Sequence, residues 1–514
     1  MKIMNRQDTL TSLKSHSPEV LIVGGGINGV GTFRDLTLQG VDTLLVDRSD
    51  FCSGASAASS RMAHGGIRYL ENGEFRLVRE AVQERNRMIR NAPSLVQPLP
   101  TTIPIFKTFS GLLNAPLKFL SWLEKPSERG GLIIKVGLIF YDAFTGKTRA
   151  VPRHVFDGRT SALMKYPRLN PGIRYAATYY DGIILSPERL TLELLLDAEK
   201  EGRHARALNY FSLAGVKGDT ITLHDELSGS TFNVRPRLIV NAAGPWIDGT
   251  NRSLGLPSHY LGLTKGSHLV LDNPDLRAAI GDHEFFFENK DGRIVLIFPL
   301  FNKVMIGTSD LPIEDPDSAR CTEEEVDYFI GMVGRVFPGI KISREQIVFR
   351  FSGVRPLAYT KANNAGQITR DHHIQEDKLG NIPVYSLVGG KWTSFRAFSE
   401  QVTDRSLAFL GLQRKTDTKS LPIGAGKDAA AIKIDPHYTR EEIAGMAQRE
   451  KIVHLDDLLL RRTLLAYLGQ LTRPLVEELA NALGESLGWD GLKKEDEVAR
   501  ALGILADRHG VKLG

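Results

Sequence analysis

The sequence predicts an α/β protein whose opening unit is a Rossmann-type nucleotide-binding domain. Three observations lead to this prediction: a glycine-rich turn after an apolar run near the N-terminus, short apolar runs separated by turns in the middle of the chain, and a helical tail. At 514 residues the chain exceeds one ordinary domain, so we expect at least two packed units. The 42% hydrophobic and 24% charged shares are ordinary for a globular protein and suffice for a large core.

The opening unit is predicted as strand, turn, helix and strand. Residues 20–23 form a short apolar run typical of a buried parallel strand, and the glycines follow it directly. Residues 30–40 predict a helix, and residues 41–47 predict a second buried strand. Residues 74–93 predict an amphipathic helix that ends at a proline.

The rest of the chain divides into a strand-rich middle and a helical end. Residues 260–350 alternate short apolar runs with turns, which predicts an antiparallel sheet. Residues 382–402 return to a strand, a glycine turn and a helix. The composition loosens over residues 406–435, which we predict to be a linker, and residues 436–514 are predicted to form a helical C-terminal domain.

Composition narrows the range of partners. The net charge is only +5 and no long Lys/Arg block is present, so no nucleic-acid partner is predicted. The two cysteines, Cys52 and Cys321, provide neither a disulfide framework nor metal-ligand spacing, and no metal site is predicted. Residues 1–20 lack the apolar core of a signal peptide and are expected to fray. Without an apolar run of membrane-spanning length, we predict a cytoplasmic protein that can contact the inner face of the cytoplasmic membrane only peripherally.

The glycine-rich turn predicts a dinucleotide site. Gly24, Gly26 and Gly29 form the pattern G-x-G-x-x-G, which permits a tight turn, a close backbone approach to a pyrophosphate, and close packing of helix on strand. The N-terminus of the following helix attracts an anion through its free N–H groups and its dipole. Asp47 follows the second strand, where it can accept a hydrogen bond from a ribose hydroxyl. The motif does not separate NAD from FAD, and a tight turn without a ligand is the alternative.

Seven further motifs follow in order along the chain. They begin at residues 59, 240, 265, 307, 351, 368 and 388 and read SSRMAHGGIRYLENGEFRLVREAVQER, VNAAGPW, KGSHLV, GTSD, FSGVRPL, ITRDHHI and VGGKWTSFR. Together they resemble the FAD-dependent glycerol-3-phosphate dehydrogenases, a family of the glycine-oxidase-like flavoproteins. The tail segment DLLLRRTLLAYL is similar to the C-terminal domain of that family.

This resemblance implies the domain organisation and marks two departures. An FAD-binding domain over residues 18–405 would be interrupted by a substrate domain, roughly at 95–150 and 255–345. At Ser60 to Gly66 the family usually has Ser-Lys-Leu-Ile-His-Gly-Gly, whereas this chain has Ser-Arg-Met-Ala-His-Gly-Gly. Residues 179–190 also carry a longer and more apolar turn than the family pattern. We therefore expect the loops beside the substrate to differ.

The resemblance also implies the residues that act on the substrate. His268 becomes the candidate general base, a role that suits imidazole because its ordinary pKa lies near neutrality. Catalytic roles are predicted for His268, Arg355 and Lys391, and substrate binding for Arg68, Arg355, Arg370 and Lys391, because cations suit a substrate phosphate and the reduced flavin. From the residues alone, the alternatives are that His268 is a core histidine, that the arginines are surface residues and that Lys391 is a solvent-exposed turn lysine.

Cofactor contacts are predicted in four parts of the chain. These are the opening loop with Asp47 at the end of the second strand, the serine-rich segment (residues 49–70), the VNAAGPW motif and the late glycine pair (Gly389 and Gly390) with the turn after it. The predicted residues are Gly24, Gly26, Asn28, Gly29, Asp47, Ser53, Ser59, Ser60, His64, Gly65, Gly244, Gly389, Gly390 and Thr393, with Ser56 grouped among the serines. The alternative for the serines is that small residues are needed there only for close packing.

The implied activity is oxidation of sn-glycerol 3-phosphate to dihydroxyacetone phosphate, with FAD as acceptor and a quinone as the next acceptor. Residues 117–144 mix apolar and basic side chains, which suits peripheral contact with a membrane as well as ordinary helix packing. The alternatives are the same chemistry on another polyol phosphate, such as erythritol phosphate, and a flavin-binding protein without turnover. A homodimer is compatible with the sequence.

Overall fold

The computed structural model describes residues 4–67, 74–108, 130–145, 149–288, 294–359, 371–424 and 432–513. In chain order the strands are β1 (Val20–Val23), β2 (Thr43–Val46), β3 (Met62–Ala63), β4 (Val96–Ile105), β5 (Val155–Gly158), β6 (Tyr175–Ile184), β7 (Ala205–Leu208), β8 (Phe211–Lys217), β9 (Thr220–Asp225), β10 (Thr231–Val234), β11 (Leu238–Asn241), β12 (Leu261–Leu271), β13 (Glu284–Glu288), β14 (Ile294–Leu300), β15 (Lys303–Gly307), β16 (Leu311–Pro312), β17 (Ile347–Ala358), β18 (His373–Leu379) and β19 (Ile382–Val388). The α-helices are Arg6–Leu13, Ile27–Leu38, Phe75–Asn91, Gly131–Thr145, Arg159–Lys165, Pro187–Glu199, Ile247–Ser253, Pro274–Ile280, Glu323–Val336, Phe395–Leu410, Arg440–Arg449, Leu455–Asp457, Arg473–Leu487 and Gly491–His509.

The nucleotide-binding half is built on a six-stranded sheet in the order β18-β19-β11-β1-β2-β7. All neighbours from β19 to β7 are parallel, and β18 is added antiparallel at one edge. The strands β1, β2 and β11 consist mostly of buried apolar residues, as expected for a parallel sheet covered on both faces. The helices Ile27–Leu38 and Phe395–Leu410 pack together against this sheet, so the predicted opening unit is confirmed.

The second large sheet carries the substrate side of the molecule. Its order is β16-β12-β15-β14-β13-β4-β6-β3, with β17 paired to β12 and β5 paired to β6. The pairs are antiparallel except for β4 and β13, which run parallel, so the predicted antiparallel sheet is confirmed with one parallel pair within it. It takes in β6 and β17, beyond the two ranges predicted for the substrate domain, whose boundaries stay a prediction.

The C-terminal helices pack against the second sheet through a shared apolar cluster. A π-helical turn, Leu458–Arg462, follows the short helix Leu455–Asp457. Within the predicted linker, residues 411–424 are irregular but held to the first domain. There Gln39 accepts the N–H groups of Lys415 and Thr416 at 2.7 and 3.0 Å.

The N-terminal segment differs from the expectation of a frayed lead-in. A helix, Arg6–Leu13, forms there, with Asn5 as its N-cap. Arg6 donates to the carbonyl oxygen of Asn209 at 2.7 Å and pairs with Asp225. The partners lie some two hundred residues away in sequence, so local composition gives no sign of them.

Candidate active site

The opening glycine loop folds so closely that side chains are excluded at two of its positions. Gly24 has φ of +112°, and a Cβ there would lie 2.5 Å from the carbonyl oxygen of Ala242. A Cβ on Gly29 would lie 1.9 Å from the carbonyl oxygen of Gly24. Strand β1, the helix Ile27–Leu38 and the segment after β11 therefore meet at backbone distance, which leaves the helix N-terminus open to a ligand.

Two side chains face the N-terminus of this helix. Asp47, directly after β2, accepts the N–H of Gly25 at 2.6 Å and that of Ser49 at 2.8 Å. Burial raises the pKa of Asp47 to about 6, although these two N–H groups oppose the shift. Ser56 accepts the N–H of Ile27 at 2.9 Å. The carboxylate and the helix N-terminus that the sequence assigns to ribose and phosphate thus lie side by side.

The predicted serines fall into three different settings. Ser53 is exposed, whereas Ser59 accepts the N–H of Arg61 at 3.2 Å. The hydroxyl of Ser60 lies 2.8 Å from Nε2 of His268, 208 residues further along the chain. The serine-rich segment therefore connects the phosphate end of the site to the candidate base. Direct contacts of these serines with a cofactor stay a prediction.

His268 lies on β12 and is buried at 2% exposure. Its ring stacks on Phe351 with centroids 4.9 Å apart, and on its other side a Cβ on Gly307 would lie 2.2 Å from Cδ2. Nδ1 has no hydrogen-bond partner among the described residues. Burial, followed by the positive charges of Arg355 and Arg61, lowers the pKa of His268 to about 3. The imidazole is therefore neutral at physiological pH and can accept a proton.

Arg355 lies on β17, opposite Thr264 of β12. Its guanidinium donates to Asp310 at 3.0 Å, to the hydroxyl of Thr308 at 2.9 Å and to the carbonyl oxygen of Ser309 at 3.1 Å. These partners belong to the GTSD motif, whose role the sequence analysis did not assign. They orient the guanidinium while its side chain stays 26% exposed, so an anion can still reach it.

The late glycine turn closes the site from the other side. The amide nitrogen of Asn28 donates to the carbonyl oxygen of Gly389 at 3.3 Å, and a Cβ on Gly390 would lie 2.4 Å from that nitrogen. Just beyond, Trp392 donates to the carbonyl oxygen of Ser56 at 3.0 Å, and Thr393 donates to that of His64 at 3.0 Å. Lys391 thus lies in a turn that touches both the opening loop and the serine-rich segment.

Two predicted glycines have local reasons of their own. The N–H of Gly65 is bonded to Asp181 at 2.9 Å and to the hydroxyl of Tyr141 at 3.0 Å, and a Cβ would lie 2.1 Å from that hydroxyl. Gly244 has φ of +56° and begins the 3-10 turn Gly244–Trp246 behind Gly24. Packing alone therefore accounts for glycine at position 65. Arg68 and Arg370 lie outside the described residues.

The residues present fit a flavin dinucleotide. Gly24, Gly26 and Gly29 form a cradle without side chains at a helix N-terminus. Beside it, Oδ1 of Asn28 and Nε1 of Trp246 are buried and have no hydrogen-bond partner among the described residues. Buried polar atoms of this kind are usually hydrogen-bonded, so a hydrogen bond to a bound ligand is the simplest explanation for them. Arg61, one of the departures from the family pattern, directly follows Ser60, whose hydroxyl contacts the candidate base.

The fold and this site define a class, the nucleotide-binding flavoprotein oxidoreductases. Comparison with known proteins gives the family: the model of the FAD dependent oxidoreductases (DAO) matches residues 19–391, and that of the C-terminal domain of alpha-glycerophosphate oxidase matches residues 404–494. The chain belongs to the FAD dependent oxidoreductase family, which confirms the predicted enzyme class and its cofactor, FAD.

Named relatives and solved structures agree with this assignment. A glycerol-3-phosphate dehydrogenase from Synechocystis is 37% identical over 409 residues, which are 75% of this chain and 69% of that protein. A D-erythritol 1-phosphate dehydrogenase from Brucella abortus is 30% identical over 80% of this chain and 78% of its own length. The structure of glycerol-3-phosphate dehydrogenase from Bacillus halodurans complexed with FAD has a TM-score of 0.72 at 22% identity, covering 98% of this chain and 97% of that one.

Proposed function

We propose that this protein oxidises sn-glycerol 3-phosphate to dihydroxyacetone phosphate. The observation that carries the proposal is that a neutral, buried histidine and an oriented arginine lie close together. Thr308, which accepts a hydrogen bond from Arg355, directly follows Gly307, which packs against His268. The names of the relatives support this substrate, with higher identity to the Synechocystis glycerol-3-phosphate dehydrogenase than to the erythritol-phosphate enzyme.

The predicted site residues have separate roles in this reaction. Arg355 binds the substrate phosphate, and Arg68 and Arg370 are the proposed further partners. His268 takes the proton of the carbon-2 hydroxyl, because its imidazole is neutral at physiological pH and its Nδ1 has no hydrogen-bond partner among the described residues. Bound FAD supplies the acceptor for the hydrogen and electron pair that leave carbon 2. Lys391 adds positive charge near the phosphate and the cofactor.

Dye-linked turnover tests the substrate. Purified holoprotein is assayed with sn-glycerol 3-phosphate, with D-erythritol 1-phosphate and with glycerol, each with an artificial electron acceptor. We expect the highest kcat/KM on glycerol 3-phosphate and none measurable on glycerol, which lacks the phosphate that Arg355 binds. A higher kcat/KM on the erythritol compound would transfer the proposal to that substrate. A yellow protein inert to both phosphates would indicate a flavin-binding protein without turnover.

We also propose peripheral membrane contact and a quinone as the next electron acceptor. The helix Gly131–Thr145 exposes several large apolar side chains, namely Leu132, Val136, Ile139 and Phe140. Lys118 and Lys125, the basic residues before this helix that are predicted to contact the membrane, lie outside the described residues. No helix among the described residues is long and apolar enough to cross a membrane. The proposal includes that the protein binds the inner face of the cytoplasmic membrane and that it forms a homodimer.

Vesicle binding tests the membrane contact. The variant Ile139→Glu is compared with Met164→Glu, which places the same charge on another exposed apolar residue. We expect the first to lose sedimentation with anionic vesicles and quinone-linked turnover while dye-linked turnover is kept, and the second to keep all three. A wild-type protein that does not sediment with vesicles would contradict this part of the proposal.

A further inference from the structure

Arg61 is a fully buried cation whose guanidinium is fixed on three sides. Nη1 donates to the carbonyl oxygen of Leu185 at 2.9 Å, and Nη2 pairs with Glu188 at 3.3 Å. The guanidinium also lies over the ring of Tyr467, 4.2 Å from its centroid. The main chain of Arg61 is held as well, since its carbonyl oxygen accepts the N–H of Ile184 at 2.7 Å. Ser60, directly before Arg61, is the residue that contacts His268.

Tyr467 brings the C-terminal domain to the same place. Its hydroxyl donates to Glu188 at 3.1 Å, so one carboxylate holds both the tyrosine and Arg61. The ring of Tyr467 packs edge-on against Phe351 at 5.8 Å, and Phe351 in turn stacks on His268. Tyr467 therefore reaches the candidate base by two routes, one through Arg61 and the half-buried Ser60 and the other through the buried Phe351.

We propose that Arg61 and Tyr467 are positioning residues through which the C-terminal domain fixes the Ser60–His268 pair for proton transfer. This rests on the proposed function, in which His268 is the base. On the opposite side of the ring, Gly307 packs against His268 and carries no side chain. A shift of the base by a fraction of its hydrogen-bond length lowers the rate without preventing folding.

Arginine is suited to this position in a way that lysine is not. Its planar guanidinium can stack on an aromatic ring and still donate in the ring plane to a carbonyl oxygen and a carboxylate. A lysine ammonium is a point charge that cannot satisfy all three contacts at once. The departure from the family pattern at residue 61 is thus matched by Tyr467 and Glu188 around it.

The arrangement predicts a specific dependence on pH. The charges that lower the pKa of His268 are those of Arg355 on β17 and of Arg61, whereas its contacts Ser60, Phe351 and Gly307 carry no charge. Both cations disfavour the imidazolium. Removal of the charge at residue 61 should therefore raise the pH at which the base loses activity by protonation.

The first experiment compares Arg61→Met with Arg61→Lys by the pH profile of kcat/KM on glycerol 3-phosphate. We expect the acid limb of Arg61→Met to move to higher pH than that of wild type, and that of Arg61→Lys to stay at the wild-type position. We expect kcat to fall about tenfold in both, because the stack on Tyr467 is lost. Wild-type kcat and an unmoved acid limb in Arg61→Met would overturn the proposal.

The second experiment stays decisive if Arg61→Met does not fold. Tyr467→Leu keeps an apolar side chain but removes the ring, and Tyr210→Phe is the control, since it deletes another buried tyrosine hydroxyl at this domain interface, bonded to Asp457 at 2.6 Å. We expect Tyr467→Leu to lose about tenfold in kcat at unchanged KM and FAD content, and Tyr210→Phe to keep wild-type kcat. Equal kcat in both, or a loss that only follows FAD content, would overturn the proposal. Inactivity of the wild type would instead refute the proposed function.

Discussion

Asp50 offers a sharp test of how the C-terminal domain is attached. Its fully buried carboxylate accepts from Arg461 at 2.6 Å, from two nitrogens of Arg462 at 2.8 and 2.9 Å, and from Asn209 at 3.0 Å. The substitution Asp50→Asn removes the charge and turns an N–H₂ group toward one of these donors. Arg461 keeps Asp456 and Asp457, and Arg462 keeps the carbonyl oxygen of Glu450, but both lose the Asp50 carboxylate. Removing one partner of a buried ion pair typically costs about 3 to 5 kcal/mol of unfolding free energy.

The pKa of Asp50 gives an independent magnitude. Burial alone would raise it, but the charges and hydrogen bonds of Arg462 and Arg461 outweigh burial and hold the pKa at about 2. Because this folded-state value lies below the ordinary 3.8, the stabilisation is present above pH 3.8 and is lost as the pH falls through 2. This difference corresponds to stability on the order of 2 kcal/mol at neutral pH, the same order as the cost of removing the carboxylate.

Urea unfolding at pH 7, followed by flavin release and by circular dichroism, measures this loss. The control is Asp317→Asn, which breaks the exposed pair with the neighbouring Arg48 and should cost less than about 1 kcal/mol. We expect Asp50→Asn to unfold at a clearly lower urea concentration and to release FAD earlier. A loss equal to that of the control would refute the view that this buried cluster joins the two domains.

Four further changes have defined outcomes. Gly29→Ala should give colourless protein by absorbance, because the new Cβ would collide with the carbonyl oxygen of Gly24; yellow protein would contradict the cradle. Burial raises the pKa of Glu284 to about 8, so the wild type loses roughly 5 kcal/mol of unfolding free energy as the pH rises from 4.5 to 8. Glu284→Gln does not titrate and should lack most of this pH-dependent loss. Equal shifts of the urea midpoint for both proteins between pH 5 and 9 would count against this prediction. His268→Ala should lower kcat on the order of a hundredfold in stopped-flow reduction, and an unchanged rate would remove the base. Arg355→Ala should raise KM for glycerol 3-phosphate by about tenfold or more in steady-state assays, whereas an unchanged KM would exclude its phosphate contact.

The nucleotide-binding unit was predictable because its information is local. Gly24, Gly26 and Gly29 lie within a few residues of one another, and Gly29 is required by its contact with Gly24 in the same turn, although Gly24 itself packs on the distant Ala242. Asp47 follows from the length of one helix and one strand. The family motifs then extended the prediction to FAD and to the order of the later elements.

Contacts between distant parts of the chain were not predictable in this way. No local pattern indicates that Ser60 reaches His268 or that Arg61 lies on Tyr467, since these pairs are brought together only by the sheet and the C-terminal domain. The parallel pairing of β4 with β13 likewise depends on the path of the chain between them. Gly65 shows the converse, because its contact with Tyr141 requires a glycine there whether or not the residue also touches the cofactor, so the sequence pattern alone cannot separate the two reasons.

The central claim is that this fold holds FAD beside a site that oxidises a polyol phosphate. Anaerobic mixing of the yellow holoprotein with sn-glycerol 3-phosphate, followed by visible absorbance, tests it most directly. We predict rapid bleaching of the flavin bands, with one dihydroxyacetone phosphate formed for each flavin reduced. Full retention of the oxidised spectrum with both glycerol 3-phosphate and D-erythritol 1-phosphate would contradict it.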